Sequence, residues 1–300
     1  MDSETETQRL KIPTPADFNF TECLAILGRS DQELLHTIQD ERITKLLATE
    51  DEMVLFDLSH SGSALHIEFL HHPPTEQGKQ AVVRYVKDWF DLETDLQPFY
   101  AMAASDPVLQ EVVERHAGLR IMGMPDLFEA FVWAITGQQI NLTFAYTLKR
   151  RLIEHFGTSH TVGGVEYWAF PSAETIASLE VEQLRTLQFS GRKAEYIIHI
   201  AEQITDGRLA KDELLEKTEQ QVEKQLVAIR GVGPWSAHYV MMKCLRFTSA
   251  FPISDVGLHN ALKHQLGLEQ KPSIAEIENL AENWAGWQAY ATFYLWRVLL

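Results

Sequence analysis

The stretch QLVAIRGVGPWSAHYVMMKCL, residues 225–245, constrains the fold more than any other part of this 300-residue chain. An apolar pattern of helical period runs into Arg230-Gly231-Val232-Gly233, and Pro234 then opens a second helical pattern. Proline suits that first position because its φ is already helical and its missing N–H would have had no partner there. Glycines at 231 and 233 permit positive φ and put no Cβ in the way of a close approach. Backbone N–H groups of the turn, and of the second helix's first residues, can then face one phosphate, helped by the helix dipole. A glycine-capped turn without any ligand uses the same residues, so this stretch alone leaves both roles open. Dinucleotide binding is excluded, because its Gly-x-Gly-x-x-Gly motif follows a strand and this one follows a helix.

Beyond the turn, FTSAFPISDVGLHNALKHQLG (247–267) places Asp255 at the start of another predicted helix, 24 residues after Gly231. Aspartate in that place is an N-cap. A capping carboxylate that follows a phosphate-holding turn is also held near the sugar of a nucleotide on the same strand, and the two roles are compatible.

Around these segments the chain changes character once. Phe18 and Phe20 alternate with polar neighbours and read as strand, as do Leu65, Ile67 and Phe69 alternating with His66 and Glu68 after Ser61-Gly62-Ser63. VLFDL (54–58) can pair with the latter as a hairpin, and Val82, Val83, Val86 and Phe90 give a helix over 79–90. The expectation is an α+β chain: a polar flexible tail over 1–11, a small α/β domain with an antiparallel sheet over 12–98, and an all-α domain over 99–300. Apolar stripes support the helical part at Phe128, Phe131, Val132 and Ile135, at Ala194, Ile197, Ile198, Ala201 and Ile204, and at Ala237, Val240, Met241, Cys244 and Leu245.

Charge enters because phosphate binding draws on cations. The net charge is −16, but residues 1–100 carry 19 acidic and 8 basic side chains (−11), leaving 23 and 18 (−5) for 101–300. A nucleic-acid surface therefore belongs in the later part, built on backbone N–H groups and a few local cations. Only Cys23 and Cys244 occur, too few for a disulfide framework, a four-cysteine zinc site or an iron–sulfur cluster. No run of residues is apolar enough for a membrane, and the acidic, polar first residues are unlike a signal peptide, so a cytoplasmic protein is expected.

GVGPWSA followed by FPISDVGL resembles the signature of the helix-hairpin-helix (HhH-GPD) base-excision DNA glycosylases, and within them the bacterial inducible alkylpurine (AlkA-type) enzymes. The likeness extends to AITGQQI (134–140), FSGRKAEYI (189–197) and NWAGWQAYATFYLW (283–296). It implies a glycosylase that removes alkylated purines such as 3-methyladenine and 7-methylguanine from damaged double-stranded DNA, in the bacterial cytoplasm at the nucleoid, as a monomer and without cofactor or metal. Asp255 is the implied essential carboxylate, stabilising the oxocarbenium character of the sugar or orienting water. The implied DNA-binding hairpin is Gly231, Val232, Gly233 and Trp235, and the implied base pocket is Trp235, Tyr239 and Trp287, with Trp287 stacked on a cationic base. The alternative for each aromatic is a place in the core. Base flipping needs a wedge, which the resemblance puts at Gln139 with Ile140 next to it, although loop amides bonded to backbone would look the same. Arg192 and Lys193 are further phosphate candidates or simply a solvated helix end.

Two departures narrow the activity. Relatives that also cleave the backbone carry a hairpin lysine two residues after the second glycine, where this chain has Trp235, so water is the expected nucleophile. The four-cysteine cluster of other branches is also missing. The alternatives are a helix-hairpin-helix DNA-binding module without catalysis and a glycosylase for oxidised guanine. His66-Ile67-Glu68 is half of a zinc deaminase signature, but its Pro-Cys-x-x-Cys partner is absent and strand alternation explains both residues.

Overall fold

The structure, a computed structural model, describes residues 9–300; of the expected tail over 1–11, residues 1–8 lie outside the described residues and 9–11 begin a strand. The strands are β1 (Arg9–Pro13), β2 (Thr37–Gln39), β3 (Arg42–Ala48), β4 (Met53–Ser61) and β5 (Ala64–Phe69), in the antiparallel order β1-β5-β4-β3-β2. The alternation read from residues 64–69 is realised: Leu65, Ile67 and Phe69 are buried while their neighbours are half-exposed. β4 and β5 form the expected hairpin, with Leu58 opposite Ile67 and Phe56 opposite Phe69. Gly62 turns the chain between them at φ 62°, a conformation glycine adopts without strain.

Phe18 and Phe20 do not form a strand. Asn19 accepts a hydrogen bond from Glu22 N at 3.2 Å and opens helix α1 (Phe20–Leu27), whose Phe20, Cys23 and Ile26 are buried at a spacing of one helical turn. Asparagine capping and the three-residue period outweigh two aromatic residues in alternation. The expected helix over 79–90 is α2 (Glu76–Trp89), capped by Thr75. The later helices are α3 (Gln97–Ala103), α4 (Gln110–Arg115), α5 (Leu127–Gly137), α6 (Leu142–Phe156), α7 (Ala173–Ala177), α8 (Val181–Thr186), α9 (Gly191–Thr205), α10 (Lys211–Leu215), α11 (Glu219–Val227), α12 (Pro234–Lys243), α13 (Val256–Gln265), α14 (Ile274–Ala281) and α15 (Gln288–Arg297).

The part expected to be purely helical contains one hairpin, β6 (Thr158–Val162) and β7 (Val165–Ala169), joined by Gly163-Gly164 at φ 60° and 83°. Two consecutive glycines with positive φ are the chemistry of a tight hairpin turn. Its Ala169, Val162 and Tyr167 pack against Leu46, Leu55, Met53 and Leu70 of the five-stranded sheet region.

Two compact units result, each discontinuous in sequence: of the described residues, 9–16, 30–92 and 135–208 form the first, and 17–29, 93–134 and 209–300 the second. In the first, Lys45 is buried under the sheet, its Nζ donating to Leu35 O at 3.0 Å and lying 5.2 and 5.3 Å from the Tyr85 and Trp89 rings of α2. Buried charge needs such partners. In the second, Trp284, Tyr290, Tyr294, Phe99, Phe131 and Phe293 are fully buried. Two of its interior donors are likewise matched, Trp284 Nε1 donating to Asp106 Oδ2 and Tyr294 Oη to Leu119 O, each at 3.0 Å.

Candidate active site

The second unit contains the hairpin and Asp255. α11 is closed at its start by a capping box of Thr218 and Gln221, and after its end Val232 N donates to Ile229 O at 3.0 Å, tightening the turn. Gly231 sits at φ 94°, where a side chain would be strained, so this glycine is demanded by the backbone. Gly233 does not use the positive φ that glycine permits: it is extended, at φ −88° and ψ 175°, and acts as N-cap of α12 with Pro234 at the first position. No atom lies within 4 Å of the place a Gly233 Cβ would take. Neither conformation nor packing requires glycine there. As N-cap it offers no side-chain acceptor to the first turn of α12. Val232, buried between the glycines, anchors the turn.

The stretch from α12 to α13 is tied down by backbone and by His238. Phe247 N donates to Met241 O, Ala289 N to Thr248 O at 2.9 Å, and Phe251 N to His238 Nδ1 at 3.0 Å. Accepting at Nδ1 leaves the proton on Nε2, which faces Glu223 Oε1 of α11 at 3.3 Å. Ser249 Oγ donates to Glu219 Oε2.

Asp255 arrives at the N-cap of α13, as the sequence pattern requires, and its Oδ1 accepts from Leu258 N at 2.8 Å. Two indoles complete its surroundings: Trp296 Nε1 of α15 donates to Oδ1 at 2.8 Å, and Trp235 Nε1 of α12 donates to Oδ2 at 3.1 Å. Asp255 as a whole is half-buried. Trp235, Tyr239 and Trp296 form a run of rings with centroids 5.4 and 6.1 Å apart. Thus Trp235 and Tyr239, two of the three expected pocket aromatics, stand beside Asp255. Trp287 belongs to another aromatic group, 5.9 Å from Phe99 and 6.0 Å from Tyr290, and is half-buried at the N-cap of α15.

Trp296 and Gly257 were not singled out from sequence. Trp296 lies within NWAGWQAYATFYLW (283–296), but nothing in its spacing signals a bond to a residue 41 positions away. Gly257 is legible only once the carboxylate is in place.

In the first unit, Gln139 is exposed and held at φ 57° in the turn between α5 and α6, with half-buried Ile140 beside it and Asn141 capping α6. A non-glycine residue in the left-handed region is uncommon and carries strain of about 1–3 kcal/mol. Arg192 is exposed at the start of α9, whereas Lys193 Nζ donates to Thr136 O at 2.7 Å, and its burial lowers its pKa from the ordinary lysine value. Structure thus gives Lys193 an internal partner. His66 and Glu68 are strand residues of β5: His66 Nε2 lies 2.9 Å from Ser61 Oγ, and Glu68 pairs with Arg9 and Arg42. Among the described residues no cluster of His, Cys, Asp or Glu could hold a metal, and no helix is long and apolar enough to cross a membrane.

Residues 132–286, just over half the chain, match the family described as HhH-GPD superfamily base excision DNA repair protein. A DNA-3-methyladenine glycosylase of Bacillus subtilis (strain 168) is 43% identical over 291 residues, covering 96% of each chain. The chain belongs to the HhH-GPD superfamily. The stretch before it, residues 11–131, matches the 8-oxoguanine DNA glycosylase N-terminal domain. DNA-3-methyladenine glycosylase 2 of Escherichia coli (strain K12) is 28% identical over 181 residues, 60% of each chain. A solved 3-methyladenine DNA glycosylase from Archaeoglobus fulgidus shares the fold with a TM-score of 0.81 at 23% identity, over 96% of this chain and 97% of that one. The family expected from GVGPWSA and FPISDVGL is the family found. This HhH-GPD protein is accordingly a DNA glycosylase of base excision repair, which sets aside a binding module without catalysis.

Proposed function

We propose that this glycosylase hydrolyses the N-glycosidic bond of alkylated purines, 3-methyladenine and 7-methylguanine among them, in duplex DNA, and leaves the backbone intact. The observation that carries the reading is Asp255, a half-buried residue whose carboxylate is fixed by Leu258 N, Trp296 and Trp235 at a helix start. A negative charge held there stabilises the sugar as it gains oxocarbenium character on base departure. Preorganisation is what makes it effective, since the charge need not reorient during the reaction. Alkylated purines are cationic and leave readily, so recognition rests on aromatic faces more than on acid catalysis, and Trp235 and Tyr239 stand next to the carboxylate to supply them. Trp287 is the proposed stacking partner of the flipped base, and Gln139, exposed in a strained turn, the proposed wedge, with Ile140 beside it. Gly231, Val232, Gly233 and Trp235 form the proposed phosphate-gripping hairpin.

Water as nucleophile is supported by the lysines. The hairpin has none, and Lys243 at the far end of α12 is buried, its Nζ 4.6 Å over the Phe293 ring. An oxidised-guanine substrate is the second reading, favoured by the match of residues 11–131. One experiment separates them: matched duplexes carrying 7-methylguanine or 8-oxoguanine, incubated with the protein and then treated or not with alkali. Strand scission at 7-methylguanine only after alkali, with no borohydride-trapped adduct, is the expected result. Release of 8-oxoguanine alone, or scission without alkali, contradicts the proposal.

A further inference from the structure

We propose that Trp296, seated against the bare Cα of Gly257, is the positioning residue that fixes the Asp255 carboxylate and turns its Oδ2 edge to the reacting sugar. A carboxylate has about four lone-pair directions, two on each oxygen. Oδ1 spends both of its own, on Leu258 N and on Trp296 Nε1, each at 2.8 Å. Oδ2 takes one donor, Trp235 Nε1, at the longer distance of 3.1 Å. One direction on Oδ2 is left for a developing cation or its water. The cap bond alone would let the carboxylate rotate about that contact; the second bond to Oδ1, from a different helix, removes this freedom.

Trp296 can hold its place because its ring is itself packed, 6.1 Å from both Tyr239 and Phe293. It can reach Oδ1 only because residue 257 is glycine. A Cβ there would stand 2.8 Å from Asp255 Oδ1 and 3.1 Å from Trp296 Nε1, pushing donor and acceptor apart. Gly257 is helical and needs no positive φ, so close approach is the reason for it.

The inference rests on Asp255 being the working carboxylate, and the test keeps the two apart. Base release from a 7-methylguanine duplex is followed in single turnover across protein concentrations for wild type, Trp296→Phe, Gly257→Ala, Asp255→Asn and Asp255→Asn/Trp296→Phe. Phenylalanine keeps the ring packing and deletes the donor. Loss of one hydrogen bond to an ionised group should slow the maximal rate about 10- to 100-fold, with the half-saturating concentration within about twofold of wild type. Gly257→Ala, which acts from the other side of the same contact, should do likewise, and the double variant should be no slower than Asp255→Asn. Wild-type rates in Trp296→Phe and Gly257→Ala, or a loss seen only in half-saturation or melting temperature, overturn the positioning role. A fast Asp255→Asn variant would instead remove the carboxylate assignment beneath it.

Discussion

The starts of α12 and α13 belong to the same unit and are built in opposite ways. α13 is closed by its own carboxylate, Asp255, which two indoles hold in turn. α12 begins with Gly233 and Pro234 and has no side-chain cap. Six further helices follow the first pattern: Asn19, Thr75, Asn141, Ser190, Thr218 and Ser273 each accept a hydrogen bond from the first turn of α1, α2, α6, α9, α11 and α14, whereas α15, which starts after Trp287, has no side-chain cap either. Both helix starts carry a partial positive charge. At α13 an internal anion answers it and is thereby fixed in position. At α12 the sequence withholds a capping side chain and leaves a smooth backbone, which suits an anion from outside, such as a DNA phosphate.

The difference can be broken in several ways. Asp255→Ala should abolish measurable base release, a loss of at least about 100-fold for one preorganised charge, and also lower unfolding free energy by about 0.5–2 kcal/mol through the missing cap. Urea unfolding alongside the assay separates these losses. An Asp255→Ala protein as stable as Asp255→Asn would mean that the cap bond contributes nothing. Gly231→Ala should cost about 1–2 kcal/mol, because φ 94° strains any L-residue, whereas Gly233→Ala should leave unfolding unchanged within about 0.5 kcal/mol. Equal destabilisation at both positions would erase the distinction between a backbone glycine and a ligand-facing one.

A smaller effect concerns the other end of α12. Lysine near a helix C-terminus ordinarily stabilises, but Lys243 is buried, and burial, followed by the charges of Arg29 and Arg246, pushes its pKa well below the usual lysine value. With a folded pKa below the unfolded one, the unfolded state binds more protons between the two values. Stability therefore rises with pH across that interval, up to about 10.5. Lys243→Met should remove the rise and, near neutral pH, stabilise by about 1 kcal/mol or more. Urea unfolding at pH 7 and pH 9.5 checks both; a destabilised variant with unchanged pH dependence would show that the contact with Phe293 matters more than the buried charge.

What could be read from sequence follows from the range of the interactions involved. The helix–turn–helix of 219–243 and the cap at Asp255 are local, set by periodicity, Gly231, Pro234 and one aspartate, and each formed where expected. So did the β4–β5 hairpin, whose alternation and Gly62 turn sit within 17 residues. Residues 158–169 carried an equally local signal in Gly163-Gly164, which a purely helical expectation passed over. The glycine at 233 illustrates the opposite limit: its residue type was legible, but its extended φ was not, since glycine permits both. Trp296 and Gly257 lay beyond reach because their role exists only after α13 and α15 bring Asp255 and an indole together. For the same reason sequence order did not reveal compact units assembled from separated segments.

Single-turnover base release from an alkylated duplex, measured against protein concentration for wild type, Asp255→Asn and Gly233→Val, tests the contrast between the two helix starts most directly. Asp255→Asn should keep the wild-type half-saturating concentration and lose at least about 100-fold in maximal rate, since asparagine still caps α13 but carries no charge. Gly233→Val, whose extended backbone accepts valine, should keep the maximal rate and bind about 10-fold more weakly. An Asp255→Asn rate within a fewfold of wild type, or unchanged affinity in a folded Gly233→Val protein, would contradict the assignment of chemistry to one helix start and phosphate to the other.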